Sequence, residues 1–299
     1  MGQQMGSSFQ RRRLRITFKL AAGTFTREGE PDTAIFEDYR SQVDIDAPGG
    51  YQFATCRMRI FGIDALTMNR LTVINYQNLD FLRNSIQIEA SDEDGQFTSI
   101  FLGEIYIAQP DYAGAPDVPF IVEARSGLIG SLKPSQANSF PGSQKVSAIM
   151  SRLAAELGVS LEDNGVTQTV TDMYLAGSAL HKVQVIAEAA RIQYWYLPEQ
   201  GLLAIAPMGV ARRSESISYT LNNGLVGWPT KTHVGIAFTA LFRPSTYHGC
   251  KILMEQDVIA CNGEWYIISI SHRLESETPG GAWFTHFVAT PQNTTIRSR

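Results

Sequence analysis

QFATCRMRIF, residues 52–61, alternates without a break. Phe53, Thr55, Arg57 and Arg59 fall on one side, and Ala54, Cys56, Met58 and Ile60 on the other. A period of two is the mark of a strand with one face buried and one face wet. The same text recurs on both sides of this stretch. Upstream, LRITFKL at 14–20 alternates. Downstream, SIQIEAS at 85–91 and TSIFLGEIYIA at 98–108 do so too. Turn signals stand between them: Ala47-Pro48-Gly49-Gly50, Asp92-Glu93-Asp94-Gly95 and the Pro110 to Pro119 stretch. Short strands punctuated in this way predict a small antiparallel barrel or sandwich. Within 61–76 the spacing predicts one helical turn at 64–69.

The middle of the chain changes period. SFPGSQKVSAIMSRLAAELG, residues 139–158, places Val146, Ile149, Met150, Leu153 and Leu157 on one helical stripe. Ser143 is the expected N-cap and Gly158 the stop. Gly177-Ser178 opens a second helix that buries Leu180, Val183, Ile186, Ala187 and Ala190. Tyr194-Trp195-Tyr196 reads as a strand, 198–201 as a turn and 202–206 as the partner strand. Beyond Arg212 strands return at 217–221, 234–242, 250–259, 264–274 and 282–289. Asn262-Gly263 is the hairpin signal.

The fold expected is therefore mainly β with an α+β insertion: two small antiparallel β-barrel domains flanking a compact α+β domain. The expected divisions are a flexible segment at 1–13, a first barrel at 14–124, the α+β unit at 125–212, a second barrel at 213–291 and a frayed tail at 292–299. The 299 residues themselves suggest about two domains of roughly 150 residues, and three smaller ones also fit.

Composition narrows the function classes. Apolar residues make up 44% and charged residues 18%, which suits packed cores rather than a disordered chain. The formal net charge of −4 gives no basic footprint for nucleic acid. The Arg11 to Arg13 run with Arg15 reads as a solvated charge run. No apolar run of about 18 residues spans a membrane, and no apolar core follows the N-terminal arginines as a secretory signal requires. A myristoylation pattern fails because Gly6 stands where Ser or Thr is needed.

Chemistry is sparse. Cys56, Cys250 and Cys261 form no CxxC pair, and their number is odd. Cys250 and Cys261 either face each other across a hairpin or are two half-buried thiols. The five histidines, His181, His233, His248, His272 and His286, show no zinc spacing. His272 and His286 are placed to meet across neighbouring strands. No nucleophile elbow, phosphate loop or dinucleotide fingerprint occurs. Asp44 with Asp46 and the Asp92-Glu93-Asp94 run are the carboxylate pairs a glycosidase would need, yet both read as solvated turns. No catalytic, metal or cofactor residue is assigned, and no cofactor is expected.

Two stretches carry a resemblance. Residues 121–207 run from IVEARSGLIGSLKPSQANSFPGSQKVSAIMSRLAAELG to YWYLPEQGLLAIAP. Residues 224–253 read GLVGWPTKTHVGIAFTALFRPSTYHGCKIL. Together they resemble the baseplate central hub proteins of contractile-tailed bacteriophages, a group that includes the hub of T4-like phages and the base of type VI secretion spikes. The matching strings are Gly227-Trp228-Pro229 before a long strand, the Arg243-Pro244 corner and the Gly249-led strand. The resemblance implies a homotrimer in which each subunit gives two similar barrels to a pseudo-sixfold ring. That ring joins the tail tube, or a tube-initiator protein, to the central spike and contacts other baseplate proteins. It implies a virion protein assembled in the host cytoplasm, with no membrane and no specific nucleic-acid partner, and not an enzyme. The alternative from another class is a peptidoglycan-degrading tail hydrolase, which would need its carboxylates in a cleft.

Overall fold

The computed structural model describes residues 12–21, 23, 25, 32–50, 52–72, 84–91, 95–256 and 259–292. The first region contains β1 (Leu14–Lys19), β2 (Thr33–Glu37), β3 (Ser41–Ala47), β4 (Thr55–Phe61), β5 (Ser85–Ser91), β6 (Phe97–Pro110) and β7 (Pro119–Arg125). These pair antiparallel in the order β3-β4-β7-β6-β5-β1-β2. The alternation in β4 does what its period predicts: Cys56, Met58 and Ile60 are buried while Thr55, Arg57 and Arg59 face out. Their buried sides join Ile16, Phe18, Val43, Ile45, Ile88, Phe101 and Val122 in one core. Each such side chain contributes about 1.5–3 kcal/mol of transfer free energy. The helical turn at 64–69 is α1 (Ala65–Leu71). Asp64 caps it, accepting from the Thr67 N–H at 3.0 Å.

Asp44 and Asp46 do not lie in a turn. They occupy the outward positions of β3, whose sequence SQVDIDA alternates as cleanly as β4, with Val43 and Ile45 buried between them. Acidic residues weaken strand propensity, but on a solvated face that penalty is small. The Asp92 to Asp94 run, the N-terminal segment 1–11, the stretch 73–76 and most of the tail lie outside the described residues.

The middle unit contains α2 (Leu128–Leu132), β8 (Pro134–Lys145), α3 (Val146–Glu156), β9 (Ser160–Asp163), β10 (Thr169–Ser178), α4 (Ala179–Ala190), β11 (Ile192–Leu197) and β12 (Leu202–Pro207). β11, β12 and β9 form one sheet, with β9 parallel to β12. β8 and β10 form a separate two-stranded ribbon. The expected helical stripes are buried: Val146, Ile149, Met150 and Leu153 on α3, and Leu180, Val183, Ile186 and Ala187 on α4. Ser178 caps α4, accepting from the His181 N–H. Ser143 is not the cap of α3. It lies in β8 opposite Thr171, and the helix starts after Lys145. Pro141-Gly142 is absorbed into the ribbon instead of ending it. Gly142 takes φ +70° at a register shift, and its N–H is held by Asp172 at 2.7 Å.

The last region contains β13 (Ile217–Tyr219), β14 (Leu225–Lys231), β15 (Ile236–Leu241), β16 (Lys251–Met254), β17 (Gly263–Ser276) and β18 (Trp283–Pro291). Its core centres on the Tyr219, Phe238 and Phe287 rings, with centroids 5.1–5.9 Å apart. β16 and β17 pair as expected. Asn262-Gly263 is not a two-residue turn, however. Gly263 already pairs with Met254, and Asn262 closes a longer loop by bonding both the N–H and the carbonyl of Gln256.

Two separate closed barrels were expected, and the strand pairing differs. The first part of β17 pairs with β16, and its second part, Ile270 to Ser276, pairs with β3. Both β-regions thus belong to one 13-stranded sheet whose main path runs open from β14 to β2. Each region has its own core. Phe242, Leu274 and Trp283 of the last region nevertheless pack into the core of the first. The physical reason is length: β17 has 14 residues and a register shift between Ile267 and Ser269, so one strand serves two neighbourhoods.

Candidate functional site

The alternation that fills the cores also builds a continuous outer face across β18, β17, β3, β4 and β7. Register places Ser271 beside Asp46, Arg273 beside Asp44, Asp44 beside Arg57 and Arg57 beside Glu123. The charges satisfy one another. Arg273 meets Asp44 at 3.2 Å, Arg57 meets Glu123 at 3.3 Å, and the Ser271 hydroxyl donates to Asp46 at 2.6 Å. Asp44 is about half exposed. The acid pair therefore sits on an open, charged sheet and not in a cleft, so neither carboxylate has the apolar pocket that general-acid chemistry requires.

His272 and His286 do not meet. In the β17–β18 register His272 faces Thr285 and His286 faces Ser271, so the two imidazoles project to opposite sides of the sheet. His286 lies on the outer face, 3.2 Å from the Thr239 hydroxyl. His272 is buried, with Nδ1 2.9 Å from the Thr285 hydroxyl. The three cysteines are free and buried. Cys250 and Cys261 share the last core without a bond between them. Among the described residues no cluster of His, Cys, Asp and Glu is arranged to hold a metal, and no helix is long and apolar enough to cross a membrane.

Among the described residues, a partly open cavity of about 310 Å³ lies where all three parts meet. Phe53 and Phe101 come from the first region, Trp195 and Glu199 from the middle unit, and His248 and His272 from the last. Gly49 forms part of the wall, at φ +74°. A Cβ there would sit 2.3 Å from the Ile268 carbonyl and 3.4 Å from the His248 ring, so turn geometry and close approach both require glycine. Burial holds His248 down at about 4 and His272 at about 3, so both are neutral at pH 7. Burial also lifts the Glu199 carboxyl to about 7.

Two polar anchors hold the middle unit in place. The Glu104 carboxylate on β6 accepts the Leu128 N–H at the start of α2, at 2.9 Å. Arg212 leaves the unit fully buried and makes a two-pronged bond to Glu162 of β9, at 2.7 and 2.6 Å. Its third nitrogen donates to the His248 carbonyl at 3.1 Å. Its guanidinium lies 4.5 Å from the Tyr247 ring centre. Sequence reading missed Arg212, Glu199 and His248 as a constellation. They are 13 to 49 positions apart, and no short motif links them.

Among the described residues, Leu221, Val226, Trp228 and Leu241 are exposed apolar side chains at the β14 end of the sheet. Trp228 is 53% exposed. It belongs to the Gly227-Trp228-Pro229 string, where the β14–β15 register shifts.

Residues 52–280 match a family model described as baseplate hub gp41. No curated protein matches the chain. Among solved structures, the fold is similar to a tail protein from Neisseria meningitidis MC58 at TM-score 0.59 and 12% identity, covering 92% of this chain and 96% of that one. It is similar to the 43 kDa tail protein of prophage MuSo2 from Shewanella oneidensis at TM-score 0.60 and 10% identity, covering 93% and 96%. It is also similar to the E. coli c3393 protein, described as a type VI secretion component resembling the T4 tail proteins gp27 and gp5. There the TM-score is 0.59 at 10% identity, covering 88% and 76%.

Proposed function

The chain belongs to the baseplate hub gp41 family, and from that premise we propose that it is a structural hub subunit of a contractile phage tail. In this reading three copies form a pseudo-sixfold ring that joins the tail tube to the central spike within the virion baseplate. The segments 14–124 and 213–291 act as the two ring-forming lobes, and 125–212 is the unit set against them. The observation that carries the proposal is the β17–β3 pairing. It joins two β-regions, each with its own core, side by side in one sheet, an arrangement that supports two ring positions per chain. Three such chains give six positions, and identical contacts between successive copies close by rotation. The outer sheet face supports a scaffold role, since Asp44 and Glu123 are paired with Arg273 and Arg57 on an open sheet. The exposed apolar residues at the β14 end have the composition of a contact surface.

The test is the mass in solution. Light scattering of the purified chain should give three times the 33.0 kDa protomer, or rings of threefold shape should assemble once tail-tube or spike protein is added. A protein that stays monomeric and binds neither partner would sink the proposal.

A further inference from the structure

We propose that the β14 end of the sheet docks head to tail against the β2 end of a second copy of this chain. The inference rests on the ring reading above and names the two surfaces that make its contacts. Among the described residues the main path of the sheet is open, and β14 and β2 each pair on one side only. Exposed end strands are usually blunted by charge or covered. Here both ends carry exposed apolar side chains. At one end Val226, Trp228 and Leu241 are 40%, 53% and 42% exposed, and at the other Ile35 is 62% exposed. Register puts Val226 and Ile35 on the same outer face. Val226 stands opposite Thr239, whose hydroxyl meets His286 on that face, and Ile35 stands opposite Thr17, between the buried Ile16 and Phe18. A second copy set beside the first therefore meets apolar side chains with apolar side chains.

Charge selects the occupant. Residues 216–254 contain no Asp or Glu. Lys231 lies in β14, and Arg243 donates to the Asn223 side chain just before it. The β2 segment, DTAIFED at 32–38, has three acids and no cation. Arg13 and Arg15 bond Glu37 and Asp38 from the β1 side, but those two side chains keep 29% and 34% of their exposure. A head-to-tail contact sets the basic end beside the acidic one. A two-fold contact between β14 ends would instead bring Lys231 and Arg243 of both copies together, and like charges facing each other across an interface are costly. Head-to-tail contacts repeat from copy to copy and close where rotation permits, as a ring requires. Side chains make this contact and not a strand ladder, because the β14–β15 register shifts between Val226 and Thr230 and Pro229 has no N–H to donate. Trp228, inside that shift, is of the residue type most enriched among interface anchors.

The experiment joins light scattering to thiol cross-linking on the full chain, alone or assembled with tail-tube or spike protein. Ile35→Cys, Trp228→Cys and the double variant are treated with a short bis-maleimide, the three native cysteines being buried. The double variant should give a ladder that ends at three linked chains. Each single variant should stay at one chain, and a mixture of the two should give linked pairs. Trp228→Glu should weaken self-association at least about tenfold while its circular dichroism stays that of the parent chain. Linked pairs from Trp228→Cys alone would show a two-fold contact and overturn the proposal. A trimer that neither cross-links in the double variant nor loosens with Trp228→Glu would overturn it too, and would leave the ring reading standing. A chain that stays monomeric with and without its partners would overturn both.

Discussion

Replacing Arg212 with methionine isolates the strongest polar link between the middle unit and the last β-region. Methionine keeps most of the apolar stem, so lost packing is small and lost charge dominates. In the native protein the guanidinium is buried, forked onto Glu162 at 2.7 and 2.6 Å, and bonded to the His248 carbonyl at 3.1 Å. Its removal strands a carboxylate and a carbonyl together. Breaking one side of a buried ion pair costs about 3–5 kcal/mol. The Glu162 side chain keeps 32% of its exposure and a bond from Asn164, so it rehydrates in part. The expected loss is therefore about 2–3 kcal/mol. Urea unfolding followed by tryptophan fluorescence measures it, since Trp195 stands beside the junction. Adding Glu162→Gln should return about half of the loss, because the stranded charge is then gone. A loss under about 0.5 kcal/mol, or strictly additive effects in the double variant, would refute the idea that the Glu162 fork fixes Arg212 for its bond to the last region.

Two further outcomes follow from buried groups. The depressed His248 and His272 make the fold bind fewer protons than the unfolded chain. Their stabilisation is complete above the unfolded value of about 6.5 and is lost as pH falls toward about 4 and 3. Glu199, raised to about 7, acts in the opposite sense: its contribution is full below about 4.5 and lost as pH rises through 7. The histidines outweigh the one acid, so net stability should drop between pH 7 and pH 4, and His272→Gln should flatten that slope in unfolding titrations. Lys182, fully buried on α4, bonds the Gln136 carbonyl at 2.6 Å and the Asn138 side chain at 2.7 Å, with Glu156 at 3.3 Å. Lys182→Met should lower the midpoint of unfolding by the equivalent of about 2 kcal/mol; an unchanged midpoint in calorimetry would show that the ribbon β8–β10 does not need this tie.

Local chemistry was legible wherever a residue's fate depends on its near neighbours. The alternation at 52–61 set the buried face of β4, and the stripe of Val146, Ile149, Met150 and Leu153 set the buried face of α3. Gly177-Ser178 was readable as the start of a helix and Gly49 as a turn glycine. Asp44 and Asp46 were misread because acidity was weighed above the Val43 and Ile45 that alternate with them. Ser143 was misread because Pro-Gly marks a bulge in a paired ribbon as readily as a turn.

The cavity had no signal of its own. Its walls come from segments near 50, 100, 195 and 245, which only the assembled fold brings together. Period and composition decided that the chain is mainly β with a helical middle, because side-chain burial repeats with the local geometry of strand and helix. Which strands pair was decided by tertiary structure alone. Backbone hydrogen bonds are blind to side-chain identity, so nothing near residue 270 announces that it will meet residue 47. Arg212, read in the sequence only as the end of the middle unit, is in the fold the residue that ties that unit to its neighbour.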